Sequence, residues 1–251
     1  MRDNGSTPSR NRPFLSAEWR FLAMANFRVE PAVVAPWVPR GTVLDLFEDQ
    51  TYLSVVGFLF RNTRVLGISV PFHRDFEELN LRLYVRREVN GEVRRGVVFL
   101  KELVSRWAVS TVARAVYNEN YATLPMRHHI HGFDERSVDR QHIGYEWHFG
   151  GRWHALHMQV SGSPIPLSPG SHEEFIAEHY WGYCRQRDGG TIEYHVEHPP
   201  WRVWTNAEFQ FQCDVEQLFG TPFAAALTQP PCSAFVADGS AVRVHKPVRI
   251  C

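Results

Sequence analysis

Four polar side chains fall at every second position along Glu78-Leu79-Asn80-Leu81-Arg82-Leu83-Tyr84-Val85: Glu78, Asn80, Arg82 and Tyr84. In a β-strand, that period places all four on one face and Leu79, Leu81, Leu83 and Val85 on the other. As a set they are suited to holding an anion. The forked guanidinium of Arg82 fits a carboxylate or phosphate, Glu78 can partner it or accept a proton, and Tyr84 can donate a hydrogen bond. The same alternation also describes a half-buried strand whose polar face is simply solvated. Residue types alone leave both readings open.

Amine chemistry has few carriers here. Of 27 basic residues, only Lys101 and Lys246 are lysines, and arginine does not lose its proton. Lys101, beside Glu102, is the candidate for a Schiff base, although a lysine paired with a carboxylate at a strand end is the commoner arrangement. Glu78 and Lys101 are therefore weak catalytic candidates, and no catalytic residue is assigned.

Histidines crowd the middle of the chain: His128, His129 and His131, then His142, His148, His154 and His157. No H-E-x-x-H or Cys–His ligand spacing accompanies them, so the reading is surface histidine on strands and no metal. Ser161-Gly162-Ser163 lacks the G-x-S-x-G frame of a nucleophile elbow. No glycine-rich phosphate loop follows a strand, and no cofactor is expected.

The elements that must position these groups are mostly strands. Glu78–Glu88, Asn90-Gly91 and Val97–Leu103 read as a hairpin with a type I′ turn. Further strands are expected over Trp19–Val29, Tyr121–His129, Ser137–His148, Trp153–Gly162, Thr191–Val196 and Trp201–Gln212. A second hairpin is expected between Thr42–Phe47 and Thr51–Phe60, an irregular or edge segment over Asn62–Phe72, and a turn at Asp238-Gly239. Helical periodicity over Ser105–Tyr117 and the capping box Ser171-His172-Glu173-Glu174 predict two helices, with shorter ones over Pro31–Trp37 and Asp214–Phe219. Many hairpins with few helices point to an α+β, mainly antiparallel chain with a closed or strongly curved sheet.

Composition narrows the partners. The chain has 251 residues, 44% hydrophobic and 13% aromatic, which suffices for a sizeable core. Residues 1–12 read as a polar disordered tail and 13–251 as one domain. Basic and acidic residues balance at 27 each, which disfavours nucleic acid as a partner. No run approaches the ~20 apolar residues of a membrane span, so no membrane partner is expected. With no signal-peptide pattern and four scattered cysteines outside any C-x-x-C, the expectation is free thiols and a cytoplasmic location.

Several segments, taken in order, resemble one family. They are Glu78–Val85, Gly96-Val97-Val98-Phe99-Leu100, Asn120-Tyr121-Ala122-Thr123-Leu124-Pro125-Met126, Glu178-His179-Tyr180-Trp181-Gly182-Tyr183 and Val196-Glu197-His198-Pro199-Pro200-Trp201. Together they are similar to the uncharacterised bacterial YqjF-like family, a domain of unknown function related in fold to acetoacetate decarboxylase. The resemblance spans about Phe14 to Trp204. It implies a curved antiparallel β-barrel with a central cavity and a few peripheral helices, but no characterised reaction. The decarboxylases carry a lysine pair after a proline in the segment similar to Leu124-Pro125. Here Met126-Arg127 stands there, and neither side chain forms a Schiff base. Their pocket glutamate has a positional counterpart in Glu78.

The resulting expectation is a barrel that binds a small anionic or carbonyl-bearing metabolite, as binder or enzyme, through Glu78, Asn80, Arg82 and Tyr84. The alternative is a non-catalytic interaction or structural protein that uses the barrel to form a homo-oligomer. In the first reading Glu178-His179-Tyr180-Trp181 contributes to a cavity mouth. In the bland one these aromatics merely pack a helix onto the sheet.

Overall fold

The Glu78–Val85 alternation becomes part of a long central strand with both faces covered. The computed structural model describes residues 13–69, 72–106, 120–133 and 140–251. In chain order the strands are β1 (Leu15–Val29), β2 (Val43–Leu44), β3 (Thr51–Val65), β4 (Ile68–Ser69), β5 (Phe76–Val89), β6 (Glu92–Val104), β7 (Tyr121–Thr123), β8 (Met126–His131) and β9 (Gln141–Phe149). They continue as β10 (Arg152–Val160), β11 (Ile165–Pro166), β12 (Trp181–Arg185), β13 (Thr191–Glu197), β14 (Arg202–Trp204), β15 (Glu208–Gln212), β16 (Ser233–Val244) and β17 (Val248–Arg249).

The main sheet runs β16-β1-β3-β5-β6-β12-β13, antiparallel except where β12 and β7 pair parallel with β6. It curls until β13 meets β16 through the pairs Val196↔Val244 and Glu197↔Arg243. That short seam joins the two ends of the curl. A second sheet, β15-β10-β9-β8, carries Tyr145, Trp147, Leu156 and Met158 into the same apolar cluster as Leu79, Leu81 and Leu83. The leucine face of β5 thus belongs to the core shared by the two sheets, and the polar face is turned to the inside of the curl. The architecture is mainly antiparallel β with a few short helices, as the residue pattern and the resemblance imply.

The Asn90-Gly91 hairpin joins β5 and β6, with both turn residues at positive φ. Ser171 caps the helix His172–Ala177 by accepting from the Glu174 amide at 3.1 Å, and Glu174 reaches back to the Gly170 amide at 2.6 Å. This helix is short and ends at Ala177, ahead of the aromatic stretch that leads into β12. The helix expected over Ser105–Tyr117 falls largely outside the described residues.

Four local expectations are corrected. Val43–Leu44 pairs with β5 rather than β3, so the Thr42–Phe47/Thr51–Phe60 hairpin does not form beyond a single Phe47↔Gln50 bridge. The segment after Asn62 is the end of β3, which folds back at Leu66-Gly67 onto β4. Tyr121–His129 is cut at Leu124-Pro125 into β7 and β8, which belong to different sheets. This fits a proline that cannot donate to a ladder. Finally, β16 runs straight through Asp238-Gly239, which faces Arg20 of β1. Gly239 sits at φ +78°, and a Cβ there would lie 2.0 Å from the Trp19 carbonyl oxygen. Its glycine serves close strand approach beside an irregular stretch of β1, not a turn.

Candidate functional site

Inside the curl lies a cavity of about 210 Å³, far above the roughly 10–15 Å³ that admits one water. Its wall is mostly apolar, with Trp19, Phe58, Phe60, Phe99 and Trp201 prominent. Six of the polar groups on it converge from two sides. Glu78, Asn80 and Arg82 come from β5 and Glu102 from β6, while His179 and His198 come from the stretches flanking β12 and β13. Glu78, Asn80 and Glu102 are each no more than 2% exposed.

Arg82 is 9% exposed. Its Nε donates to the Tyr84 hydroxyl at 3.1 Å and its Nη2 to the Ile176 carbonyl at 2.9 Å. Among the described residues it makes no ion pair, and its Nη1 makes no hydrogen bond. A buried guanidinium without a counter-ion is costly unless an anion reaches it. Asn80 donates to Glu78 Oε1 at 3.3 Å, and the Asn80 Oδ1 has no partner among the described residues.

Tyr84 does not line the cavity. It is fully buried beneath Arg82, and its hydroxyl shares a 2.5 Å hydrogen bond with Ser54 Oγ, which donates to Asn26 Oδ1 at 2.5 Å. Three of the four alternating polar residues thus meet the cavity, and the fourth supports one of them from behind.

Lys101 is also absent from the wall, for a definable reason. In the β5–β6 ladder Leu81 faces Lys101, yet Arg82 faces Phe99, so β6 carries one extra residue there. Val97 and Phe99 line the cavity, and strict alternation would bring Lys101 next. The bulge shifts the phase, and Glu102 lines it instead. Lys246 is exposed. No lysine lines the cavity. Met126 and Arg127 lie on β8, where Arg127 pairs with Glu146 at 2.5 Å.

His179 was legible only as part of an aromatic segment, yet it is one of the best-held groups of the wall. It is 7% exposed, and its Nε2 lies 3.2 Å from Asp45 Oδ2, which also accepts from Arg95 Nε at 2.7 Å. A carboxylate only accepts, so the Nε2 of the neutral ring carries the proton and Nδ1 is a bare acceptor. That Nδ1 has no partner among the described residues. Burial pushes the His179 pKa down to about 4 against the pull of Asp45. For Asp45, burial works upward, but hydrogen bonds from His179 and Arg95 outweigh it and hold the carboxyl below its usual range. His198, stacked 4.1 Å from the Trp201 ring, is also pushed down to about 4, first by burial. No spacing signal links Asp45 to a histidine 134 residues away.

The central histidines lie elsewhere, on the second sheet. His128 bonds Glu77 at 2.8 Å, His129 sits 3.5 Å from Glu146, and His142 and His157 share a 3.1 Å contact. The four cysteines are free thiols. Among the described residues no helix is long and apolar enough to cross a membrane.

A curled antiparallel sheet around an apolar cavity with a few buried polar groups is the acetoacetate decarboxylase-like fold, and solved structures agree. The enduracididine biosynthesis enzyme MppR complexed with pyruvate superposes with a TM-score of 0.66 at 14% identity, covering 98% of this chain and 93% of that one. Its form with bound HEPES buffer gives 0.68 at 12%, covering 95% and 88%. Acetoacetate decarboxylase from Legionella pneumophila gives 0.63 at 11%, covering 98% and 93%. The model of DUF2071, an uncharacterized conserved protein family, matches residues 16–241, and the chain belongs to that family. Uncharacterized protein YqjF of Bacillus subtilis (strain 168) is 26% identical over 191 residues, 76% of this chain and 74% of YqjF.

Proposed function

We propose that this chain binds a small carboxylate- or carbonyl-bearing metabolite inside the curl, with Arg82 as the anion anchor. The observation that carries this reading is Arg82 itself: a buried cation on the wall of an apolar cavity, fixed through Nε and Nη2, with no ion pair among the described residues. Asn80 and Glu78 supply further polar contacts, and Tyr84 sets the angle of the guanidinium. The fold neighbour complexed with pyruvate supports a ligand of that size and charge. A wall without lysine argues against a Schiff-base route, so any reaction here would rest on proton transfer by groups such as Glu78, Glu102 or His179.

The test is thermal denaturation with pyruvate, acetoacetate and a panel of other small carboxylates, on the native chain and on Arg82→Met. A ligand that binds only the folded state raises the melting temperature by mass action. The expected result is a rise with at least one carboxylate that disappears in Arg82→Met. A chain that melts cooperatively and responds to none of them overturns the reading.

A further inference from the structure

The seam between β13 and β16 has two faces. Val196 and Val244 line the cavity. On the face away from it, His195 and Glu197 of β13 stand beside His245, the residue that follows β16. The backbone holds the three together, with the His245 amide donating to the His195 carbonyl at 2.9 Å. His245 Nε2 lies 2.8 Å from Glu197 Oε1, and His195 Nδ1 lies 3.8 Å from the same oxygen. The imidazole rings are roughly parallel, with centroids 5.6 Å apart. One ligand atom from each residue lies within 4.8 Å of the other two. Ligands about 2.1 Å from a tetrahedral ion are roughly 3.4 Å apart, so small side-chain rotations close the set.

We propose that His195, Glu197 and His245 bind a divalent transition ion of the zinc class, which clasps the seam of the curled sheet. Two imidazoles and a carboxylate form a nitrogen-rich set that suits zinc and is wrong for magnesium or calcium, which prefer oxygen alone. Three protein ligands leave a fourth position for water. The side chains of His195 and Glu197 are each 36% exposed, so an ion can enter from solvent. Arg243 sits 3.8 Å from Glu197 Oε2, the other carboxylate oxygen, and leaves Oε1 to face the histidines. Trp181 packs its ring 4.7 Å from that of His195 and limits its rotation. Because the three residues meet only when β13 and β16 are paired, binding couples directly to closure of the sheet.

The test uses the full chain stripped of metal with chelator. Zinc addition should raise its melting temperature, and cobalt should give the intense visible bands of tetrahedral coordination. In His245→Gln and in His195→Ala, zinc affinity should fall more than tenfold and the cobalt bands should vanish, with cooperative melting retained without metal. His142→Ala, at the other close histidine pair, should keep both signals. No zinc or cobalt response in the native chain overturns the proposal. So does a response that survives in the seam variants or is lost in His142→Ala.

Discussion

His179 donates its Nε2 proton to Asp45 Oδ2 at 3.2 Å, and the two rank among the most buried titratable groups of the fold. Asp45 follows the short strand β2, which is pinned to β5, while His179 leads into β12. Their bond therefore ties the cavity wall to the sheet across most of the chain.

This pairing predicts a pH dependence. The folded ring stays neutral down to about pH 4, whereas the unfolded ring protonates below about 6.5. Between those values the unfolded state binds more protons. The contribution is fully present above pH 6.5, shrinks as pH falls, and is gone near pH 4. A gap of that size corresponds to about 3 kcal/mol. Urea unfolding between pH 4 and 7 should therefore show a clearly flatter stability profile for His179→Gln than for the native chain. Identical slopes would show that the ring is not buried neutral.

Amine chemistry can be checked by trapping. Borohydride reduction in the presence of pyruvate or acetoacetate should leave the native mass unchanged, because no lysine lines the cavity. Lys101→Ala should keep any carboxylate-induced rise in melting temperature. A reduced adduct mapped to Lys101 would contradict both the bulge in β6 and the proposed lysine-free wall.

Gly239→Ala should destabilise the chain on the order of 2–4 kcal/mol. The new methyl would meet the Trp19 carbonyl at 2.0 Å in a left-handed backbone conformation. Chemical denaturation measures the loss, and an unchanged midpoint would mean that β1 and β16 separate easily at this point.

How much of this was legible in advance depended on whether the signal was local. The period-two pattern over Glu78–Val85 and the Asn90-Gly91 turn identify the β5–β6 hairpin, because alternation and positive φ are properties of neighbours. The same pattern could not say which face is solvated, since that depends on the curl and on the second sheet packing Trp147 and Tyr145 against the leucines. Asp45 and His179 were illegible as a pair because their meeting is purely tertiary. The same holds for His195 and His245, brought together by the seam. Gly239 looked like a turn because a strand glycine and a turn glycine share the same letter. What separates them is the Trp19 backbone pressed against it.

The extra residue in β6 amounts to a change of reading frame in side-chain space. The thirteen residues of that strand could be read onto the sheet in two phases beyond Phe99. One would offer the cavity an amine, the other a carboxylate, with no change in composition. The bulge selects the carboxylate. A one-residue slip, rather than a substitution, is thus enough to exchange the chemical character of this wall, and relatives with insertions or deletions near this point would be expected to differ in what they hold.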